Sequence, residues 1–130
     1  MAQFSPASEA KLVTCHPKLQ EVLREAILYY DFTVLVGHRG EADQNKAFLE
    51  KASTKQWPNS MHNTLPSRAV DIAPYPIDWA DVRRFALIVG FIIGLGAARG
   101  IKLRSGLDWD SDGNIKEHSL VDGPHIELVE

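Results

Sequence analysis

The sequence predicts an α+β fold, in which helices pack against a small, mainly antiparallel sheet. In segments 69–73 and 125–129, large apolar residues alternate with polar or small ones over most of the length, as in strands with two different faces. Segment 17–30 has apolar residues at steps of three and four, and segment 85–98 is apolar on every side, so both are expected to be helices. With 130 residues the chain is long enough for one core and short of two. We therefore expect a single domain over residues 1–130.

Composition and charge exclude several classes of protein. Hydrophobic residues make up 45% of the chain and charged residues 24%, which is typical of a soluble globular protein. The net charge of -3 offers no electrostatic basis for binding nucleic acid. Cys15 is the single cysteine, which suits synthesis in a reducing compartment. Residues 1–12 lack the apolar core of a signal peptide. We expect a monomer with no nucleic-acid partner.

The first third of the chain contains a helix, a strand and a second helix. Residues 1–16 are expected to be irregular, and Pro17 then opens a helix. Its apolar stripe consists of Leu19, Val22, Leu23, Ala26, Ile27 and Tyr30. A strand at 32–36 ends in the segment Gly37-His38-Arg39-Gly40, where two glycines bracket a basic pair. Strand ends are a common place for a binding group. Residues 41–52 are expected to form a short helix, followed by a loop.

Residues 60–76 are predicted to be a loop that runs into a strand and to present the candidate site. The two-residue period places Ala69, Asp71 and Ala73 on one face and Val70 and Ile72 on the other. A carboxylate between two alanines has open space around it, whereas the opposite face is core. Asp71 on an otherwise apolar strand would be a costly buried charge unless it were paired or coordinated. We therefore interpret His62 and Asp71 as two ligands of a metal site.

The next predicted element is a long apolar helix. Asp78 is expected to cap it, and it runs from Trp79 to about Arg99 before Gly100 ends it. Its apolar middle, 85–98, falls short of the roughly 20 residues that cross a bilayer. We therefore expect a central core helix and no membrane span.

The C-terminal part of the chain supplies the third candidate ligand. After a short strand at 101–103 and an acidic loop, a terminal strand places His125, Glu127 and Val129 on one face. Two histidines and one carboxylate, with a fourth position left for water, are the usual protein ligands of catalytic zinc. Asp122 precedes His125 across a Gly-Pro turn, from which its carboxylate would approach the bound water rather than the metal.

Each candidate residue also has an ordinary structural interpretation. Arg39 could pair with an acidic residue of the following helix, Ser60 could cap a turn, and Asp122 could belong to a simple Asp-Gly turn. Most single histidines are hydrogen-bonded surface or core residues, and we interpret three of them in this way: His16, His38 and His118.

The acidic loop has two interpretations. Asp108, Asp110 and Asp112, followed by Gly113, match the first half of a calcium-binding loop. Ser119 occupies the position where such a loop carries its bidentate glutamate. A Ca²⁺ site at 108–119 and a solvated acidic loop therefore both stay open.

These residues together resemble the zinc peptidases of the D-alanyl-D-alanine carboxypeptidase and dipeptidase group. They resemble still more closely the single-domain phage endolysin branch of that group, the L-alanyl-D-glutamate peptidases. The motifs that carry the likeness are Ser60-x-His62, Ala69-x-Asp71, Asp122-x-x-His125, Gly37-His38-Arg39, Gln44, Trp57-Pro58, Pro74-Tyr75, Arg104 and Asp108-Trp109-Asp110. Two features depart from the general pattern of the group: a longer spacing from His62 to Asp71, which resembles that of the phage branch, and Ser67 in place of a glycine. Met61 stands where such lysins usually have a basic residue.

The resemblance implies roles for individual residues. His62, Asp71 and His125 would hold Zn²⁺, Asp122 would be the general base, and Arg39 would bind substrate and help to hold the oxyanion. Ser60 could give a second substrate contact. The fold would be that of the Hedgehog and DD-peptidase group.

The resemblance also implies a biological setting. The substrate would be the L-Ala–D-Glu bond of bacterial peptidoglycan, whose cleavage lyses the host. The enzyme would be made in the host cytoplasm and would reach the wall through a separate membrane pore. Two alternatives are a D-Ala-D-Ala carboxypeptidase or dipeptidase and a non-catalytic, zinc-stabilised wall-binding domain. A structural zinc would need neither Asp122 nor Arg39, and four protein ligands would normally close it.

Overall fold

A four-stranded antiparallel sheet, within the part of the chain that the structure describes, organises the protein in the order β1-β2-β4-β3. The structure is a computed structural model that describes residues 2–107, 111 and 124–129. In chain order the elements are α1 Pro6–Leu12, α2 Pro17–Ala26, β1 Phe32–Val36, α3 Glu41–Leu49, a 3₁₀ turn Met61–Asn63, β2 Ala69–Pro74, α4 Val82–Ala98, β3 Leu103–Ser105 and β4 His125–Leu128. The predicted α+β architecture is confirmed.

The register of the two middle strands places candidate site residues side by side. Strands β2 and β4 pair so that Asp71 lies opposite His125. On the other side, β1 pairs with β2 through a bulge between Val34 and Val36, and Val36 lies opposite Asp71. A bulge bends its strand and redirects the chain beyond it. The loop after β1 therefore starts beside Asp71.

The core lies on one face of the sheet, beneath α2 and α4. The strand face predicted to be core is buried, because Val70, Ile72, Ile126 and Leu128 are all fully buried, and on the opposite face of β2 Asp71 is more exposed than the buried Ala69 and Ala73. From the helices, buried side chains of α2 and α4 complete this layer: Leu19, Val22, Leu23, Ile88, Val89 and Ile92. The opposite face of the sheet is left for the polar residues of β2 and β4.

The expectation that residues 1–16 are irregular is wrong. Residues 6–12 form α1, with Ser5 as its N-cap and Pro6 in the first turn. The Ser5 hydroxyl accepts a hydrogen bond from the Ser8 N–H at 3.1 Å, and Leu12 is fully buried. Seven residues hold too few apolar positions to show a helical period, so Ser5 followed by Pro6 was the available sequence signal for the start of this helix.

The long helix begins later than predicted and is buried on one side only. Asp81, rather than Asp78, is its N-cap and accepts a hydrogen bond from the Arg84 N–H at 3.1 Å. Asp78 instead accepts from the Ala80 N–H in the preceding turn. The expected core position is confirmed on one side only, because Ile88, Val89 and Ile92 are buried whereas Leu87 is 55% exposed. Within the described residues, no helix is long and apolar enough to cross a membrane.

Candidate metal centre

A cavity of about 380 Å³ lies where the middle strands meet the loops that follow β1 and precede β2. Five residues predicted from the sequence line it: Arg39, Ser60, His62, Asp71 and His125. Met61 also lines it. Tertiary folding therefore brings residues from two loops and two strands to one cavity.

Hydrogen bonds to its backbone N–H and to its imidazole ring orient His62. Ser60 caps the 3₁₀ turn, because its hydroxyl oxygen accepts from the His62 N–H at 3.2 Å. The ring Nδ1 lies 2.8 Å from the Gly37 carbonyl oxygen. Since a carbonyl only accepts, Nδ1 carries the proton and Nε2 has the lone pair. That Nε2 lies 3.1 Å from Asp71 Oδ1, so the buried ring presents a ligand atom to the carboxylate.

Position 37, whose carbonyl oxygen contacts His62, has room only for glycine. A Cβ at this position would lie 2.3 Å from the Lys11 carbonyl oxygen and 2.4 Å from Thr14 Oγ1. Ser67 is fully buried, and its hydroxyl lies 2.6 Å from the Ala69 carbonyl oxygen and 3.3 Å from the Gly37 carbonyl oxygen. The loop between His62 and Asp71 is therefore packed tightly against the segment after β1.

His125 approaches Asp71 from the neighbouring strand. Its Nδ1 lies 3.2 Å from Asp71 Oδ1, and its Nε2 lies 2.7 Å from Glu127 Oε1. Oδ1 of Asp71 thus has a ring nitrogen from each histidine within hydrogen-bond distance. Among the described residues, His62, Asp71 and His125 each offer one ligand atom, and these atoms all lie within 4.8 Å of one another. The group could bind a metal ion.

Charge in the group favours a bound cation. Burial raises the pKa of Asp71, but hydrogen bonds from His125 and His62 outweigh it and hold the pKa well below its usual range. Burial lowers the pKa of His125, but Asp71 and Glu127 outweigh it and raise the pKa to about 9. The carboxylates therefore favour positive charge between the rings. A divalent ion could replace the proton on His125 Nδ1, since either cation would lie between this nitrogen and Asp71 Oδ1.

Arg39 lies beside the metal group rather than in an ordinary surface ion pair. Its Nη2 lies 3.8 Å from Asp71 Oδ2, and its Nη1 donates to Gln44 Oε1 at 3.2 Å. The guanidinium therefore borders the cavity within reach of the carboxylate. Ser60 has the turn-capping role given above, and its hydroxyl proton is still available for a donor contact.

Sequence reasoning named Gln44 and Glu127 but gave neither residue a role at the site. Gln44 is fully buried in α3, and its amide oxygen accepts from Arg39 and from Asn63 Nδ2 at 3.0 Å. Its amide nitrogen donates to Ser53 Oγ at 2.9 Å, which holds the far wall of the cavity. Glu127 had a usable signal, because the alternation of β4 places it on the same face as His125. Gln44 was noted only as part of the family resemblance, and no local pattern predicted its contacts with Arg39 and Asn63.

Two predictions lie outside the described residues. Asp122, the expected general base, is one of them. The other is the candidate calcium loop at 108–119, of which Ser111 alone is described. Both stay predictions.

Comparison with known proteins confirms the resemblance inferred from the motifs. Residues 1–129 match the family described as phage L-alanyl-D-glutamate peptidase. The chain is 36% identical over 135 residues to the L-alanyl-D-glutamate peptidase of Escherichia phage T5, and the match covers 98% of each chain. The structure also matches the crystal structure of the Serratia marcescens L-Ala D-Glu endopeptidase ChiX, with a TM-score of 0.75 and 28% identity. That match covers 98% of this chain and 90% of the other.

Proposed function

Because the chain belongs to the phage L-alanyl-D-glutamate peptidase family, we propose that it is an endolysin that hydrolyses the L-Ala–D-Glu bond of peptidoglycan stem peptides. One observation carries the proposal: the candidate ligand atoms of His62, Asp71 and His125 converge in a cavity of a chain from this family. Both named relatives are L-Ala–D-Glu enzymes, which favours this bond over D-Ala–D-Ala.

The metal of this proposal is Zn²⁺, held by His62, Asp71 and His125. Two imidazole nitrogens and one carboxylate oxygen suit zinc, and three protein ligands are typical of its catalytic sites. When bound, zinc polarises the scissile carbonyl and lowers the pKa of its water to about 7. The ligand group borders an open cavity, which supports a catalytic role over a closed structural one.

Arg39 binds the substrate carboxylate in this mechanism. In the stem peptide, D-Glu is joined to the next residue through its side chain, so its α-carboxylate is free beside the scissile amide. A guanidinium offers forked donors that match a carboxylate. The Nη1 contact with Gln44 limits the rotation of Arg39 and directs its other nitrogens toward the cavity side where Asp71 lies. Ser60 can donate a second contact.

Asp122 moves the proton. It accepts a proton from the attacking water and then donates it to the amino group of D-Glu as the amide breaks. We expect Asp122→Ala to retain zinc and to lose turnover by a factor on the order of 100 to 10,000. Zinc content and turnover of the same preparation test this. Loss of the metal would make Asp122 a ligand instead, and normal turnover would remove it from the mechanism.

The test of the bond is mass spectrometry of isolated peptidoglycan digested by the purified protein, with and without a chelator. We expect free amino groups on D-Glu, and their loss when the chelator is present. Release of D-Ala alone would contradict the proposal and indicate a carboxypeptidase. A monomeric state, synthesis in the host cytoplasm and release through a separate pore stay predictions.

A further inference from the structure

We propose that Glu127, held by Arg104, is a positioning residue that fixes the His125 ring so that Nδ1 is the metal-binding nitrogen. The inference rests on the metal role proposed above for His125. It concerns how the ligand is prepared, and it assigns a role to a charge pair that the peptidase mechanism does not use.

The two ring nitrogens of His125 face different groups. Nε2 lies 2.7 Å from Glu127 Oε1, whereas Nδ1 lies 3.2 Å from Asp71 Oδ1. Both partners are carboxylates, which only accept hydrogen bonds, so each ring nitrogen has an acceptor when no metal is bound. Nδ1 lies on the side of the ligand group, so a metal would replace the proton on Nδ1, and Nε2 would keep the proton that Glu127 accepts.

Strand pairing holds Glu127 in place. It lies two residues after His125 on β4, so both side chains are on the same face of the sheet. Glu127 is also the cross-strand partner of Arg104 in β3, and the Arg104 guanidinium donates to its second carboxylate oxygen. The side chain of Glu127 is only 7% exposed. A row of contacts therefore runs from Asp71 on β2 through His125 and Glu127 on β4 to Arg104 on β3.

His62 is prepared in the opposite way. Its Nδ1 donates to the Gly37 carbonyl, and its Nε2 faces Asp71. The two histidines thus present different ring nitrogens to one carboxylate, and different partners set the two choices. A carboxylate partner also makes the ligand nitrogen more basic than a neutral carbonyl does. Removing Glu127 should therefore weaken metal binding, even though Glu127 is not itself a ligand.

Zinc affinity measures this role without reference to peptidase activity. We expect Glu127→Ala to lower the affinity for Zn²⁺, measured by competition with a chromophoric chelator, by about 10- to 100-fold. Glu127→Gln keeps an oxygen acceptor without its charge, so its loss should be smaller. The matched control is Glu25→Gln, which removes a carboxylate from the exposed pair with Arg99 and should leave zinc affinity unchanged.

Spectroscopy of the zinc-loaded protein identifies the nitrogen directly. In wild-type protein labelled with ¹⁵N-histidine, we expect zinc on Nδ1 of His125 and on Nε2 of His62, with His125 Nε2 protonated. Zinc on Nε2 of His125 would overturn the inference, and so would wild-type affinity in folded Glu127→Ala and Glu127→Gln. If Glu127→Ala does not fold, the wild-type spectrum and Glu127→Gln decide. A protein that binds zinc in this way but cleaves another bond would contradict the proposed function alone.

Discussion

The two halves of the candidate metal centre are held by different kinds of contact. In the sheet half, Asp71 and His125 are paired residues of neighbouring strands, so backbone register sets their separation. In the loop half, Arg39 and His62 lie on connecting segments, where hydrogen bonds to Gln44 and Gly37 hold them. Several backbone hydrogen bonds together hold the register of the strands. Each side-chain contact in the loop half depends on a single partner residue. Substitution of a ligand on the strands should therefore affect the metal itself while the strands still pair, whereas substitution of the groups that support the loop half should affect stability and substrate affinity.

The largest effect is expected in the sheet half. His125→Ala should abolish both zinc binding and peptidase activity, because it removes one of three ligands while the strand still pairs. Metal analysis and digestion of isolated peptidoglycan measure the two outcomes. His16→Asn serves as the control, since it keeps an acceptor at the start of α2 and lies outside the cavity. Stoichiometric zinc in folded His125→Ala would show that the ligand assignment is wrong.

In the loop half, Gly37→Ala should destabilise the protein. The added Cβ would meet the Lys11 carbonyl oxygen at 2.3 Å, and the backbone would have to move away together with the carbonyl that holds His62. Overpacking of this kind typically costs about 1–3 kcal/mol in the free energy of unfolding, which urea denaturation measures.

A matched glycine gives the control for that substitution. A Cβ at Gly94, in α4, would meet no atom within 4 Å apart from its chain neighbours and the backbone of its own helix. Gly94→Ala should therefore raise stability by up to about 1 kcal/mol, because alanine favours the helix. Equal effects of the two substitutions would show that close packing at Gly37 is unimportant.

Gln44→Leu should separate substrate binding from metal binding. Leucine removes the amide oxygen that accepts hydrogen bonds from Asn63 Nδ2 and Arg39 Nη1. Loss of a buried hydrogen-bond partner typically lowers the free energy of unfolding by about 1–3 kcal/mol. Since Arg39 loses its support, KM for stem peptides should rise more than kcat falls, and zinc affinity should change less than in Glu127→Ala. Asn45→Ala, at an exposed position of the same helix, is the control and should change neither. An unchanged KM in folded Gln44→Leu would contradict the role given to Gln44.

The smallest expected effect concerns the packing behind Gly37, where Cys15 is buried. Burial raises the pKa of the Cys15 thiol from 9.0 to about 11. The unfolded chain therefore loses this proton first, and the stability present below about pH 9 is lost as the pH rises toward 11. Between about pH 8 and pH 10 the urea midpoint should fall more in wild type than in Cys15→Ala. Equal falls would show that the thiol contributes nothing to this pH dependence.

The local residue pattern was sufficient to predict the strands that carry the candidate ligands. The period of two around Asp71 and His125 depends only on backbone geometry, so it predicted which residues share a face. It was insufficient for α1, whose seven residues show no period, and for the exposed side of α4. An all-apolar segment does not record which of its faces meets the sheet, because that depends on the position of α2 and the strands.

By itself, the sequence determined the residue types of the site, the strands that present them and the family to which the chain belongs. Tertiary structure alone decided the pairing of Asp71 with His125 and the use of Gln44 and Glu127 as supports. It also decided which nitrogen of each ring faces Asp71. The physical reason is distance along the chain. A ring nitrogen is selected by the group that its other nitrogen meets, and register and loop packing bring that group into place.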